Sequence, residues 1–343
     1  MTASPITRRR LLQTSGGLLL TSGLFAAGAA RAAGGLIALV HTQAAGDAGP
    51  VDSMIAKLNQ FASETGMTAR AVYAQDPATY ESIFTTLSEA GAAIVVSTFN
   101  EVAEPIKAVA PKFPGTKFIQ LFADPFEPAI PNVTTVSYDY YLGCYLAGIF
   151  ATRMSRSGKL GFIGGISIPP INADFNAFKA GALSVNPAIT ATAAFAGSFQ
   201  DPAKGQEIAT QMFSDGIDFI QTDAAATDFG IIAAAQEGEG RLVSCLDPAQ
   251  FTLAPKNLIS IVGLDFGASL YNEARRAITA DWAAGHVPTG LGTGVIDFIR
   301  NPEFSVQGPA DLVAMADAAM PEVDAARAAI LDGSLAVEFN TAL

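Results

Sequence analysis

The chain has 343 residues, of which 50% are hydrophobic, and it carries 20 basic and 32 acidic side chains. This length and apolar content predict one large or two medium domains with a substantial core, and they exclude intrinsic disorder. The net charge of −12 without a basic stripe argues against nucleic acid as a partner, and beyond residue 35 no uncharged apolar run approaches the ~20 residues of a membrane span.

Residues 1–32 have the pattern of a secretion signal. Arg8–Arg10 precede the uncharged stretch Leu11–Ala30, and small residues surround a cleavage site near Ala32. An arginine pair followed by two leucines resembles a twin-arginine (Tat) signal, and a membrane-anchoring helix, weakened by its glycines, is the alternative. We therefore predict a periplasmic mature chain that is not anchored in the membrane.

Strand and helix patterns alternate along the first half of the mature chain. Short apolar runs predict buried strands, and apolar residues at helical spacing predict the segments between them. The predicted strands are Leu36–Val40, Thr68–Tyr73, Ala93–Ser97, Lys117–Leu121 and Asn132–Tyr138. The predicted helices are Val51–Glu64, Ala78–Glu89, Ala103–Ala110 and Leu142–Met154. This alternation is typical of parallel sheets with helices on both faces.

A second run of the same kind follows. Its predicted strands are Leu160–Ile163, Ile189–Phe195, Asp218–Gln221, Arg241–Leu246, Leu258–Val262 and Gly294–Ile299. Its predicted helices are Asn172–Val185, Pro202–Ser214, Asp228–Glu237, Ala268–Ala284 and an Ala-rich helix near Val323–Leu331. We therefore predict an α/β protein with two similar lobes, joined by several crossovers that form a hinge. The first lobe would comprise residues 33–140 and 264–297, and the second residues 141–263 and 298–343.

The predicted topology also locates a ligand site. Ligands of open α/β sheets bind at the carboxyl ends of the strands, and two facing sheets would bring those ends to one cleft. The residues that follow the strands are therefore the predicted ligand-binding set, namely His41, Thr42, Gln43, Phe99, Asn100, Thr222, Asp223, Asp247 and Phe266.

Each of these side chains has a binding role and a structural alternative. His41 could hydrogen-bond a ligand or cap the next helix, and Asn100 could read a base edge or cap a helix. Phe99 could stack on a planar base or pack in the core. Asp223 and Asp247 could accept hydrogen bonds from hydroxyl or ring N–H groups, or serve as helix caps or surface charges.

No pattern of catalytic residues is present in the sequence. The two histidines and two cysteines lack zinc-ligand spacing, and neither a nucleophile elbow nor a P-loop occurs. We therefore predict a binding protein without metal or cofactor, and a secreted hydrolase of unrecognised type is the enzymatic alternative. Cys144 and Cys245 are predicted to be buried free thiols, with a disulfide as the alternative.

Several segments carry a resemblance to a known family. They are Phe113–Phe118, Tyr145–Gly148, Gly161–Gly165, Phe178–Ala182, Val185–Pro187 and Gly197–Gly205. Through them the sequence resembles the basic membrane protein, or PnrA-like, solute-binding proteins of ABC importers. The resemblance implies the two-lobe type I periplasmic binding protein fold, a purine nucleoside or nucleobase as ligand, an ABC permease as partner, and a monomer.

The resemblance also bears on individual residues. Asp247, the first acid of the family's V-D-x-D-Q segment, would accept hydrogen bonds from ribose hydroxyls. Thr222 and Asp223 are similar to the polar pair of the nucleobase-binding branch. The loop Ala44–Val51 lacks the aromatic residue that relatives carry, and a lysine typical of the family is replaced near Gly263. A sugar-binding protein and a ligand sensor with the same fold are the alternatives.

Overall fold

The structure is a computed structural model that describes residues 34–46 and 49–343. The predicted signal sequence lies outside the described residues. Within those residues, no helix combines the length and the apolar character needed to cross a bilayer.

Strands and helices alternate along the described chain almost as the sequence predicts. In chain order the elements are β1 Leu36–His41, α1 Pro50–Thr65, β2 Thr68–Tyr73, α2 Tyr80–Glu89, β3 Ala92–Thr98, α3 Ala103–Val109, β4 Lys117–Leu121, β5 Val133–Tyr138, α4 Tyr140–Met154, β6 Lys159–Gly164, α5 Pro169–Val185, β7 Thr190–Phe195, α6 Pro202–Ser214, β8 Phe219–Asp223, α7 Asp228–Gln236, β9 Leu242–Cys245, β10 Leu258–Leu264, α8 Phe266–Ala277, β11 Gly285–Thr289, β12 Ile296–Arg300, α9 Pro302–Gln307 and α10 Ala310–Leu331.

The strands form two six-stranded sheets of matching order. The first has the order β11-β5-β4-β3-β1-β2, and all of its strands are parallel. The second has the order β12-β10-β9-β8-β6-β7, and only the pairing of β12 with β10 is antiparallel. We call the first sheet with α1, α2, α3 and α8 lobe 1, and the second sheet with the other helices lobe 2. The predicted α/β fold with two parallel sheets flanked by helices is thus confirmed.

Helices cover both faces of each sheet, which explains the continuous apolar runs in the strands. In β3, Val96 packs with Ile119 in the large core cluster, whereas its neighbour Val95 packs with Phe118 in a separate cluster. Both valines are fully buried, because successive side chains of a strand point to opposite faces.

The largest departure from the predicted elements lies after α8. The predicted helix Ala268–Ala284 ends at Ala277, and the segment that follows it becomes the edge strand β11. Pro288 lies within β11, which is the edge strand of its sheet, and proline is tolerated at a sheet edge, where its missing N–H costs no ladder bond. Trp282, which the pattern placed on a helix face, lies beyond the helix with its ring 4.5 Å from the Lys117 ammonium.

Two further differences concern the end of the chain. Helix α10 begins at Ala310 rather than near Val323, and it continues through Pro321. Strand β12 pairs with β10 of the second sheet, so the chain passes between the sheets before Ile296. The predicted lobe boundary after residue 297 would divide this strand. No helix lies between β11 and β12, so the sequence pattern did not reveal that the chain moves from the first sheet to the second at this point.

Three crossovers connect the lobes and are tied to one another. The amide of Asp139 donates to the Thr289 carbonyl at 2.8 Å, and the amide of Asp265 donates to the Val295 carbonyl at 2.8 Å. The Tyr140 hydroxyl donates to the Val262 carbonyl at 2.8 Å. The crossovers therefore lie side by side, as a hinge requires.

Both cysteines are buried and free, as predicted. Burial in apolar surroundings raises the pKa of the Cys144 and Cys245 thiols well above the ordinary value. They behave as small hydrophobic side chains of the core.

Candidate functional site

A cavity of about 380 Å³ lies where the carboxyl ends of the two sheets meet. Lobe 1 contributes the first turn of α1, and lobe 2 contributes the short 3₁₀ turn Pro248–Gln250 that follows β9. The junction of β10 and α8 closes a third side. The described lining residues are Gly49, Asp52, Ser53, Ala56, Asp247, Pro248, Ala249 and Asp265.

Among the described residues, three carboxylates face this cavity, and each also accepts a backbone hydrogen bond. Asp247 accepts from the Ala249 amide at 2.8 Å and caps the 3₁₀ turn. Asp265 caps α8 through the Ala268 amide at 2.8 Å, and Asp52 accepts from the Gly46 amide at 2.8 Å. These bonds fix the orientation of the carboxylates before any ligand arrives. Asp247 therefore serves as a cap, which was its structural alternative, and it also lines the cavity. Its predicted role in ligand binding stays a prediction.

The loop after β1 is held by its own polar side chains. His41 is buried, its Nδ1 donates to the Gln43 carbonyl at 2.7 Å, and its ring stacks on Tyr73 with centroids 5.5 Å apart. The Thr42 hydroxyl donates to the Glu101 carboxylate at 2.6 Å, which ties this loop to the one after β3. The predicted residues His41, Thr42 and Gln43 therefore shape the loop itself.

Four aromatic rings cluster at the carboxyl edge of the first sheet. Phe99 follows β3, Phe122 follows β4, Tyr138 ends β5 and Phe266 begins α8. Five pairs of these rings have centroids 5.1 to 6.3 Å apart, within the range of favourable aromatic pairs. Phe266 and Tyr138 are buried, whereas Phe99 and Phe122 remain partly exposed. Phe266 directly follows the cavity residue Asp265 in the chain, although none of the four rings is among the described lining residues.

Backbone strain is concentrated at the same edges of the sheets. Within the described chain the non-glycine residues with positive φ are Phe99 at 70°, Phe122 at 55° and Ala225 at 51°. All three follow the carboxyl end of a strand, β3, β4 and β8 respectively. Such conformations cost about 1–3 kcal/mol each and cluster at functional sites, where surrounding structure holds them.

Asp223, at the end of β8, lies in a buried carboxyl pair. Its carboxyl and that of Asp174 on α5 are hydrogen-bonded to each other, and each residue is less than a tenth exposed. Loss of hydration raises the pKa of Asp223 to about 6 and the pKa of Asp174 well above its ordinary range, to which the neighbouring Asp223 charge contributes. The pair can therefore hold a shared proton near neutral pH.

A third buried carboxyl belongs to Asp228, which follows β8 in the chain. It begins α7 and is fully buried, and its burial raises its pKa well above the ordinary value. Three neighbouring polar groups lower this pKa in part, namely the Thr222 side chain, the Gln250 side chain and the Ala224 amide. None of them forms a hydrogen bond of ordinary geometry with either carboxylate oxygen of Asp228. Thr222, predicted to bind ligand, is likewise fully buried, and its hydroxyl has no partner within the described residues.

The structure brings only some of the predicted residues together. Asp247 lines the cavity, Phe99 and Phe266 belong to the aromatic cluster, and Asn100 is exposed at the start of a 3₁₀ turn. Sequence reasoning missed Asp52, Ser53, Phe122 and Asp174. Phe122 directly follows a predicted strand and was open to the same rule, whereas Asp174 lies within a helix and carried no signal. No group of three His, Cys, Asp or Glu residues in the described chain could hold a metal ion.

Comparison with known proteins now identifies the family. The model of the PnrA-like substrate-binding proteins of ABC transporters matches residues 36–319. The chain belongs to this family. The PnrA-like family consists of substrate-binding proteins and not of enzymes, which agrees with the prediction of a binding protein.

Curated relatives of this PnrA-like protein cover a shorter stretch. Basic membrane protein A2 of Borrelia garinii subsp. bavariensis is 32% identical over 64% of this chain and 66% of its own length. Basic membrane protein A of Borreliella afzelii is 34% identical over 52% of this chain and 56% of its own. A purine-binding protein of Brucella abortus is 26% identical over 61% of this chain and 58% of its own. The chain thus matches less than two thirds of the length of each relative.

Solved structures of ABC transporter solute-binding proteins share the fold. One from Aeropyrum pernix matches with a TM-score of 0.75 at 19% identity, over 89% of this chain and 94% of its own. One from Conexibacter woesei matches with a TM-score of 0.69 at 21% identity, over 89% and 98%. The type I periplasmic binding protein architecture implied by the sequence resemblance is thereby confirmed.

The structure also explains why glycine occupies two positions in the motifs of this PnrA-like chain. A Cβ on Gly165 would lie 2.2 Å from the Phe199 ring, so the G-G and G-S-F segments pack together beyond the ends of the adjacent strands β6 and β7. A Cβ on Gly205 would lie 2.5 Å from the Thr227 carbonyl oxygen, which joins the start of α6 to the segment before α7. These motifs therefore build lobe 2 rather than contact a ligand in the cavity.

Proposed function

We propose that this PnrA-like protein is the periplasmic binding component of an ABC importer and that it closes its two lobes over a purine-type nucleobase or nucleoside. The cavity between the sheet edges is the observation that carries the proposal. Its 380 Å³ falls within the ~300–1,000 Å³ of small-molecule sites. The purine-binding relative in Brucella abortus supports the ligand class.

The cavity lining and the aromatic cluster at the neighbouring sheet edge together offer groups that suit such a ligand. The partly exposed rings of Phe99 and Phe122 offer aromatic faces for a planar base, worth ~0.5–1.5 kcal/mol per favourable pair beyond burial. The carboxylates of Asp52, Asp247 and Asp265 accept hydrogen bonds from hydroxyl and N–H groups. A ligand that touches both lobes favours the closed population by its differential affinity. Closure would present a new surface to the permease.

A ligand panel tests this proposal directly. We expect adenine, guanine, adenosine or guanosine to raise the melting temperature, since a ligand at 100 times its Kd stabilises by about 2.7 kcal/mol. A rise with free sugars and none with purines would replace the proposal by the sugar-binding alternative. Turnover of a bound compound would favour a hydrolase.

Asp247→Ala should weaken binding of the best purine by about 1 kcal/mol or more, which is a factor of about five or more in Kd. The reason is that the substitution removes a carboxylate acceptor from the cavity wall. Isothermal titration calorimetry gives the Kd.

Asp215→Ala is the matched control for this variant. Asp215 is also an acid of lobe 2, but it lies before β8, at the sheet edge away from the cavity. Its variant should bind as the parent does. Equal affinity in Asp247→Ala and the parent would remove Asp247 from the site.

A further inference from the structure

The described lining of the interlobe cavity carries charge of one sign only. Asp52 comes from lobe 1, Asp247 from lobe 2 and Asp265 from the crossover between them. No lysine, arginine or histidine is among the described lining residues. Lys57, one turn beyond Ser53 on α1, is turned toward Gln60 and the Tyr271 ring instead.

Two helices begin at this cavity, and their N-termini would ordinarily favour an anion. In this protein the chain's own carboxylates occupy those positions. Asp52 lies in the first turn of α1, and Asp265 is the N-cap of α8. The Ser53 hydroxyl donates to Asp265 at 3.0 Å and links the two helix ends. The positive ends of the helix dipoles are therefore neutralised by the protein before a ligand binds.

From this arrangement we infer that the cavity selects its ligand by charge, accepting an uncharged molecule rich in N–H and O–H donors and rejecting anionic forms of the same molecule. The inference rests on the proposed function, because it concerns the same cavity. It narrows the ligand class: a nucleoside is accepted, whereas its 5′-monophosphate is rejected.

The expected discrimination is large because several charges act together. A phosphate enclosed with three carboxylates at close range is repelled by each of them, and lobe closure removes the water that would screen the repulsion. We expect adenosine 5′-monophosphate to bind at least about a hundredfold more weakly than adenosine at low salt. The ratio should shrink with added salt if the cleft is partly open to solvent.

The decisive variant replaces the three carboxylates at once, as Asp52→Asn, Asp247→Asn and Asp265→Asn. Asparagine keeps the capping hydrogen bonds, because its side-chain oxygen accepts the same backbone N–H groups. The fold should therefore persist, and circular dichroism verifies that it does. We expect the ratio of the two Kd values to fall at least about tenfold in this variant. Asp215→Asn, outside the cavity, should leave the ratio unchanged.

Inorganic phosphate supplies a probe that does not depend on nucleoside binding. In buffers matched in ionic strength with chloride, phosphate should not raise the melting temperature of the parent, and it should raise that of the triple variant. Specific stabilisation of the parent by phosphate overturns the inference whatever nucleosides do. Equal affinity of the parent for adenosine and its monophosphate also overturns it and leaves the proposed function intact. A parent that binds no purine but follows the phosphate pattern supports charge selection while the proposed ligand class fails.

Discussion

Gly148→Ala is expected to destabilise the protein by about 3 kcal/mol or more, although alanine is the better helix former. Gly148 lies in α4 where this helix crosses α5, and a Cβ there would lie 2.0 Å from the Phe178 carbonyl oxygen. The crossing is reciprocal, because a Cβ on Gly181 of α5 would lie 2.0 Å from the Tyr145 carbonyl oxygen of α4.

The sign of this effect follows from comparing magnitudes. Helix propensity alone would make Gly148→Ala stabilising by about 1 kcal/mol. Against this, the clashing atoms belong to the backbone of a buried helix, so no flexible side chain can move aside. Relief requires the two helices to separate, which opens the large core cluster around Phe178 and Leu146. The steric cost therefore outweighs the propensity gain.

Chemical denaturation of the parent and of Gly148→Ala measures the difference. Gly181→Ala should cost a similar amount, because it forces apart the same pair of helices. Gly115→Ala is the control: no heavy atom lies within 4 Å of the added Cβ, and its φ lies outside the left-handed region. Its effect should stay within about 0.5 kcal/mol. Unchanged stability of Gly148→Ala would contradict the described packing of α4 on α5.

The main elements of the fold could be predicted from the sequence, whereas the edge strand β11 and the sheet to which β12 belongs could not. Alternating strand and helix periods predicted two α/β lobes, because a strand covered on both faces must read as a continuous apolar run. They did not predict β11, since an edge strand such as Gly285–Thr289 buries little surface and its proline weakens the pattern. They also did not predict that β12 belongs to the second sheet, because no helix separates it from β11 in the sequence.

For the candidate site, local position could be predicted and mutual contact could not. The rule that ligands bind at strand ends selected Asp247, which lines the cavity, and Phe99, which joins the aromatic cluster. It could not reveal that Asp223 pairs with Asp174, because the partner lies in a helix 49 positions away in the chain. Nor could it show that Asp52 and Asp247 line the same cavity, since that depends on how the two lobes lie against each other.

Because of its buried carboxyls, the protein is expected to lose stability, measured as the free energy of unfolding, as the pH is raised from about 5 to about 7.5. Burial raises the pKa of Asp223 to about 6 and the pKa values of Asp174 and Asp228 well above the ordinary range. In the unfolded chain these carboxyls titrate near about 3.9. The folded protein therefore holds protons that the unfolded chain releases.

The direction follows from proton linkage. The stabilisation due to these raised pKa values is complete below about pH 3.9 and is lost as the pH rises through the folded-state values. Each such proton gives a slope of about 1.4 kcal/mol per pH unit, so Asp223 alone accounts for a loss on the order of 2–3 kcal/mol by about pH 6. Carboxyls with lowered pKa values at exposed or partly exposed positions act in the opposite sense, but only in the acid range below about 4.5. They are Glu64, Asp311, Glu322 and Asp332.

Asparagine variants separate this cause from a general effect of pH. Asp174→Asn can donate its amide N–H to Asp223 without a proton to lose, and Asp228→Asn removes a buried carboxyl that lacks a hydrogen bond of ordinary geometry. Each should raise stability at about pH 7.5 by about 1–3 kcal/mol, leave it little changed at about pH 5, and so flatten the slope. Denaturation midpoints measured across this range give the slope, with the exposed Asp281→Asn as a control that should preserve it. A parent whose stability is constant or rises over this range would contradict the burial of the pair, because a carboxyl that reaches water titrates alike in the folded and unfolded chains.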